Sequence, residues 1–346
     1  MMDLIEISVI RSAERCGIRI NDSSKIEVPV DCPFCNDSKQ HMSLNTIKNV
    51  FRCNRCGESG NSITLYSRLT GCTTKEAYRE LVGEGVNNQE FTTKREREPN
   101  SIMDRHEVYT ALLDMLTLSE YHRGNLMNRG LDMATIDKNM YRTAPIKSEA
   151  DKIVETLSSK YNLLGIPGFY TNHDKWNMVL QTGLFIPVRD KGGYIQGLQI
   201  RLDDERDRKY RWFSSRFKDN GTRAYSWIHV TNASTGRDVF ITEGALKADV
   251  ATYLSGDRDC FVGLSGVSGT YGLTSLLVSI NVNRVYEAFD MDKRTNRHVA
   301  MAAERLRYEL AGAGIACTTY EWDEGRKGVD DHLLFCRWLD TCQLAV

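Results

Sequence analysis

Hydrophobic positions change period several times along the chain, and each change marks a different kind of element. Residues 1–20 have the spacing of a short amphipathic helix followed by a turn, and 28–66 hold short strand-like segments. Two helices are predicted next, over 61–69 and 73–83. From His106 to Met140 the period is helical again, with Leu112, Leu113, Leu116 and Leu118 supplying apolar faces. The stretch 179–230 switches to the alternation of β-strands, in LFIPVRD, GYIQGLQIRL and KYRWFSS. After Gly236, short apolar strands at 239–242, 260–264, 284–289 and 315–321 alternate with helical segments at 245–255, 270–280, 297–311 and 331–339. Repeated β-α-β units of this kind predict a mainly parallel sheet covered by helices on both faces. The polar, charged run NNQEFTTKREREPNS, broken by Pro99, reads as a linker.

Composition narrows the picture. The chain has 346 residues, which suits two or three domains. It is 41% hydrophobic and 26% charged, which excludes a fibrous or wholly disordered protein. The formal net charge is −1, so any polyanion must be met by a local basic patch rather than a global field. No run approaches the roughly 18 consecutive apolar residues of a membrane span, and the N-terminus lacks a signal-peptide core. A cytoplasmic protein without membrane contact is therefore expected. There is no G-x-x-x-x-G-K-[ST] phosphate loop, which argues against a fused motor ATPase.

Four of the ten cysteines form two tight pairs, Cys32-Pro-Phe-Cys35 and Cys53-Asn-Arg-Cys56, separated by seventeen residues. Each pair can turn two sulfurs toward one point, so together they supply the four thiolates of a closed, structural zinc site. His41 is a neighbour of the site rather than a ligand. Ser43, Lys48, Phe51, Arg52 and Arg55, lying between or within the pairs, offer cations and a ring for phosphate contact and base stacking.

The chemistry-bearing acids fall at the predicted strand ends. DVFITEGALKADV ends its strand in Glu243-Gly244, and RVYEAFDMD ends in Asp290-Met291-Asp292. Open α/β sheets place ligands beyond the carboxyl ends of their strands. In an extended segment Asp290 and Asp292 share one face. Three carboxylates brought together repel one another unless protonated or neutralised by a cation, which makes the cluster a candidate hard-metal site. Asp330, in Lys327-Gly328-Val329-Asp330-Asp331, is either a further metal or nucleotide contact or the N-cap of the last helix.

With zinc ribbon, linker, β-rich middle and acidic parallel sheet in this order, the chain resembles DnaG-type primases of bacteria, phages or mobile elements over nearly its whole length. The first lobe is similar to the family's zinc-binding domain, including Gly60-Asn61-Ser62-Ile63-Thr64. Asn128-Arg129-Gly130-Leu131 resembles the helical opening of the polymerase core. Ile186 to Asp190, Gly192 to Gly197, Arg201 and Lys209-Tyr210 resemble its basic, template-facing half. Glu243-Gly244 and Asp290-Met291-Asp292 look like the metal-binding fold called TOPRIM. The resemblance implies a multi-domain α/β chain: an N-terminal zinc ribbon (1–86), a linker (87–105), then an α+β primase core. That core divides into a helical and basic β-rich part (106–236) and a TOPRIM-type parallel α/β sheet (237–346). Two departures stand out. Cys35 replaces a frequent histidine, and Lys247 stands where the family commonly has an aspartate, with Asp249 nearby. The number of bound ions therefore stays open.

The function implied is synthesis of short RNA primers on single-stranded DNA by divalent-metal-dependent nucleotidyl transfer. Glu243, Asp290 and Asp292 are the implied catalytic acids, holding Mg2+ or Mn2+, and Asp330 is a fourth candidate ligand. Arg189, Arg201, Lys209 and Arg211 would form a positive track for template or nucleoside triphosphates, and Lys247 a further phosphate contact. Tyr210, Trp212 and Phe213 are candidate stacking rings. A separate replicative helicase and a single-strand-binding protein are implied partners. The rival readings are a RecR-like recombination mediator, which binds DNA without polymerising, and a TOPRIM nuclease, which uses the same acids to cleave.

Overall fold

The computed structural model describes residues 7–83, 97–204, 209–233, 238–267 and 269–344. The chain divides into two compact units, Met1–Thr92 and Thr93–Val346. Most of the expected linker lies outside the described residues. Its expected end at 105 falls inside a helix that begins at Ile102, because the Ser101 hydroxyl accepts the Asp104 N–H at 3.2 Å and caps the chain there.

In the first unit, α1 (Val9–Arg15) precedes an antiparallel sheet of β1 (Glu27–Cys32), β2 (Asp37–Asn45), β3 (Val50–Cys53) and β4 (Ser59–Asn61) in sequential order. Alternation in β1 sends Val28, Val30 and Cys32 inward, where they meet Met42, Leu44, Phe51 and Leu65. Helix α2 (Ser62–Thr70) starts where the Asn61 side chain accepts the Thr64 N–H and stops at left-handed Gly71. Helix α3 (Thr74–Gly83) follows.

The second unit opens with three helices in place of one long helical run. α4 (Ile102–Asp114), α5 (Glu120–Met127) and α6 (Met133–Lys138) are cut apart by the caps Ser119 and Asp132, which accept the N–H groups of His122 and Thr135. Next come β5 (Arg142–Thr143), α7 (Lys147–Lys160), and a hairpin of β6 (Phe169–Asn172) with β7 (Lys175–Met178). Then β8 (Gly183–Arg189), β9 (Ile195–Leu202) and β10 (Tyr210–Trp212) form an antiparallel sheet with β5, in the order β10-β9-β8-β5. Phe213 sits at the centre of the core beneath it, its ring against Tyr109, Phe169 and Phe185. It is therefore not the stacking surface that the sequence suggested, because its position just beyond β10 turns it inward.

The C-terminal part is built from β11 (His229–Val230), β12 (Asp238–Glu243), α8 (Ala245–Leu254), β13 (Cys260–Leu264), α9 (Leu273–Ser279), β14 (Arg284–Glu287), a 3-10 turn over Met291–Arg294, α10 (Arg297–Gly312), β15 (Cys317–Thr319) and α11 (Val329–Leu344). Strands β13, β12, β14 and β15 are parallel neighbours, and β11 adds an antiparallel edge at β13. This is the TOPRIM-like sheet the sequence predicts, with a core on each face. Val239, Ile241, Val262, Leu264 and Val285 pack with residues of α9 and α10. Phe240 stacks between Phe261 and Tyr286 on the opposite face, among residues of α8 and α11. Among the described residues no helix is long and apolar enough to cross a membrane.

Candidate active site

The first unit gathers four cysteine sulfurs in a cluster that could hold a metal ion. The Sγ atoms of Cys32, Cys35, Cys53 and Cys56 lie within 4.8 Å of one another, with Cys32–Cys56 at 3.8 Å and Cys35–Cys53 at 3.9 Å. A tetrahedral ion with Zn–S bonds of about 2.3 Å needs sulfur separations of about 3.8 Å, so the donor set and its span both fit zinc. His41 is not a fifth candidate, because its Nδ1 lies 2.9 Å from the buried carboxylate of Asp37, which also accepts Arg55 Nη1 at 3.1 Å. Asp37 is held below the usual carboxylate range, chiefly by these His41 bonds. Phe51, expected as a stacking ring, is buried and stacked on Phe34, and Ser43 donates to Glu27. Lys48 and Arg52 are exposed.

In the second unit, Glu243 closes β12 and Gly244 turns the chain into α8 at φ +82°. The Gly244 N–H donates to Leu264 O at 2.6 Å, and a Cβ at Gly263 would stand 2.6 Å from Gly244 O, so glycine is required where these backbones approach. Strand β14 ends at Glu287, earlier than the sequence suggested. Asp290 therefore immediately precedes the 3-10 turn and Asp292 lies within it, rather than both on one face of a strand. The turn still brings them to the same end of the sheet as Glu243, whose Oε1 accepts the Asp290 N–H at 3.4 Å. Burial, followed by the Asp290 charge, pushes the Glu243 carboxyl up.

Protein cations are interleaved with these acids. Lys247 Nζ donates to Asp290 Oδ1. Lys327 Nζ lies 3.0 Å from Asp292 Oδ2 and 3.9 Å from Asp290 Oδ2, and Arg129 Nη1 lies 2.9 Å from Asp330 Oδ2. The other Asp292 oxygen, Oδ1, is buried without a hydrogen-bond partner. Among the described residues, only the cysteine cluster gathers three or more ligand atoms within 4.8 Å, so the carboxylates stand wider apart than a closed cage. Asp330 does not cap α11: the neighbouring Asp331 accepts the Gly328 N–H at 3.0 Å, while buried Asp330 faces Arg129. Lys247, expected as a phosphate contact, is engaged by Asp290.

The expected basic track divides. Arg189 is drawn inward, since β8 is an interior strand buried on both faces; its Nη2 donates to Asn139 O at 3.2 Å and its Nη1 is buried. Half-buried and engaged in this way, its guanidinium turns inward, unlike the exposed Lys209 and Arg211. Arg201 lines a cavity of about 160 Å3 with Tyr121, His122, Asn125, Arg129 and Asp203. Lys209 and Arg211 are exposed at or beside edge strand β10, while Tyr210 is half-buried and Trp212 makes an edge contact with Trp227. Arg129 and Lys327 belong to the site and were not singled out as such from sequence. Their signal was position beside a recognised motif, which does not say that their charge turns toward the acids.

Comparison with known proteins gives independent findings. Residues 19–97 match a family model described as the CHC2 zinc finger, and 227–335 match one described as a domain of unknown function, DUF3854. A DNA primase of Geobacillus stearothermophilus is 25% identical over 196 residues, covering 52% of this chain and 32% of that protein. The chain thus spans about a third of that relative. The crystal structure of the Aquifex aeolicus primase, zinc-binding and RNA polymerase domains, aligns with a TM-score of 0.53 at 16% identity, covering 96% of this chain and 80% of that one. The RNA polymerase domain of Mycobacterium tuberculosis primase DnaG, in complex with a double-stranded DNA oligomer bearing a 6-nucleotide overhang, aligns with a TM-score of 0.52 at 16% identity over 69% of this chain and 78% of that chain.

Proposed function

From a domain architecture that fits a DnaG-type primase, we propose that this chain makes short RNA primers on single-stranded DNA by divalent-metal-dependent nucleotidyl transfer. What supports the reading is that Glu243, Asp290 and Asp292 all lie at the carboxyl end of the parallel sheet, with one buried Asp292 oxygen unpartnered, in a chain that also holds a zinc ribbon. The donor set is all oxygen and suits Mg2+ or Mn2+. Such an ion, when bound, supplies Lewis-acid stabilisation of a triphosphate and favours ionisation of the attacking 3′-hydroxyl.

The protein's own groups do the rest. Glu243 and Asp292 offer the ligand oxygens, and Lys327 holds the second Asp292 oxygen in place. Arg129 and Arg201, on the cavity wall, supply positive charge to the phosphates of an entering nucleoside triphosphate. Lys209 and Arg211 offer the template backbone salt-sensitive contacts that carry no base specificity. The zinc is structural and holds the small first sheet rigid for nucleic-acid contact. Such an enzyme works in the cytoplasm beside a helicase and a single-strand-binding protein.

The test supplies zinc-loaded protein, single-stranded DNA, Mg2+ and labelled nucleoside triphosphates. Short labelled products that disappear in Asp290→Ala and Asp292→Ala are expected. DNA binding without products points instead to a mediator, and shortened DNA to a nuclease.

A further inference from the structure

We infer that the carboxylate site binds a single divalent cation, because the Lys247 ammonium permanently holds the place and part of the charge of a second. The inference deepens the primase reading and rests on it. It follows from how the acids are already committed. Asp290 is bonded by Lys247, Asp292 by Lys327 through Oδ2, and Asp330 by Arg129. Four carboxylates thus face three protein cations. Glu243 has no ion-pair partner within 4.0 Å among the described residues, and Asp292 keeps one buried oxygen open. These two carboxylates are the ones left to ligate an ion, with water or phosphate oxygens completing its shell.

A second ion would need Asp290, and so would have to displace the ammonium. The surroundings resist that. Lys247 is fixed on the first turn of α8, just after the Gly244 turn, and its side chain is only 16% exposed. Gly328 packs against it so closely that a Cβ there would stand 3.2 Å from Lys247 Cε and 2.3 Å from Asp330 Oδ1. The lysine is therefore walled in beside Asp290 and Asp330 rather than waving in solvent. One divalent ion turns the small net negative charge of the group into a small positive one, whereas a second would leave a large uncompensated positive charge next to an immobile ammonium. Lys247 thereby sets ion number through Asp290 without touching the reacting atoms.

Mn2+ titrated into the zinc-loaded full chain, with free Mn2+ followed by its electron paramagnetic resonance signal, tests this without reference to turnover. The wild type and Lys247→Arg should bind one Mn2+ that is lost in Asp292→Asn. Lys247→Asp and Lys247→Ala should bind two. Circular dichroism checks that each variant is folded, and Lys247→Ala serves if Lys247→Asp is not. A wild type that binds two ions, or folded Lys247→Asp and Lys247→Ala that still bind one, overturns the inference and leaves the primase reading standing. No Mn2+ binding sensitive to Asp292→Asn overturns both.

Discussion

Behind the 3-10 turn that presents Asp290 and Asp292, Glu287 is a buried carboxylate whose neutralisation has a calculable cost. Its side chain is 0% exposed, and it accepts the Phe289 N–H at 2.7 Å, Lys293 Nζ at 3.2 and 3.3 Å, and Arg307 Nη1 at 3.2 Å. Glu287→Gln preserves volume and an oxygen for Phe289 but removes the charge, leaving the buried Lys293 ammonium with Tyr320 O as its remaining close acceptor. Two charge-assisted contacts at about 1.5–3 kcal/mol each set the scale, consistent with about 3–5 kcal/mol for breaking a buried pair. Arg307 is a third exposed and recovers water, so the loss should lie near the lower end, about 3 kcal/mol. For a unit spanning Thr93–Val346 this corresponds to roughly 6–12 °C in Tm. Scanning calorimetry of the zinc-loaded protein reads it directly. Replacing both partners, Glu287→Leu with Lys293→Met, should recover most of the loss, because no orphaned charge is left behind. A Glu287→Gln cost under about 1 kcal/mol, or a double variant no better than the single, refutes the reasoning.

Three further outcomes follow from the geometry. Cys53→Ser, or a chelator, should release the zinc and unfold the first unit, since metal binding supplies on the order of 10–16 kcal/mol to small zinc domains; metal content and proteolysis within 7–83 check it. Burial raises the Glu243 and Asp330 carboxyls, so the folded state takes up protons before the unfolded one. Ion-free stability should therefore rise as pH falls through those raised values and level off near about 4, the unfolded carboxylate range, and Glu243→Gln should shrink the slope in denaturant titrations at several pH values. Gly168→Ala should cost about 2–4 kcal/mol in urea unfolding, because φ is +95° and its Cβ would lie 2.1 Å from the Phe213 ring; Phe213→Ala in the same chain should relieve the clash but not the backbone strain.

What the sequence made legible was whatever depends on spacing. Two C-x2-C pairs specify a tetrahedral site by themselves, and strands buried on both faces between helices specify a parallel sheet. Helix α7 is equally legible, since Ala150, Ile153, Val154 and Leu157 have helical spacing. The β6–β7 hairpin was harder, since its turn residues His173 and Asp174 adopt positive φ without the Asn-Gly or Asp-Gly signal. The inward turn of Arg189 was hidden for a different reason. Strand β8 is apolar on both faces, so alternation there cannot say whether a terminal arginine points to solvent or into the protein.

The same limit applies to Asp249, which lies two residues beyond Lys247. Residues two apart on a helix do not share a face, and the structure gives them opposite tasks. The Arg189 N–H donates to His229 Nδ1 at 3.0 Å, which leaves the proton on Nε2; that nitrogen donates to Asp249 Oδ1 at 2.9 Å. Asp249 Oδ2 accepts the Tyr141 hydroxyl at 2.6 Å. Both of its oxygens are thus engaged in a buried network that ties α8 to the end of β8, to β11 and to the segment before β5. Asp249 cannot turn toward Asp290 without stranding His229 and Tyr141 as unsatisfied donors in the interior. Asp249 therefore adds no acid to the site, and on this helix it is Lys247 that brings charge to Asp290.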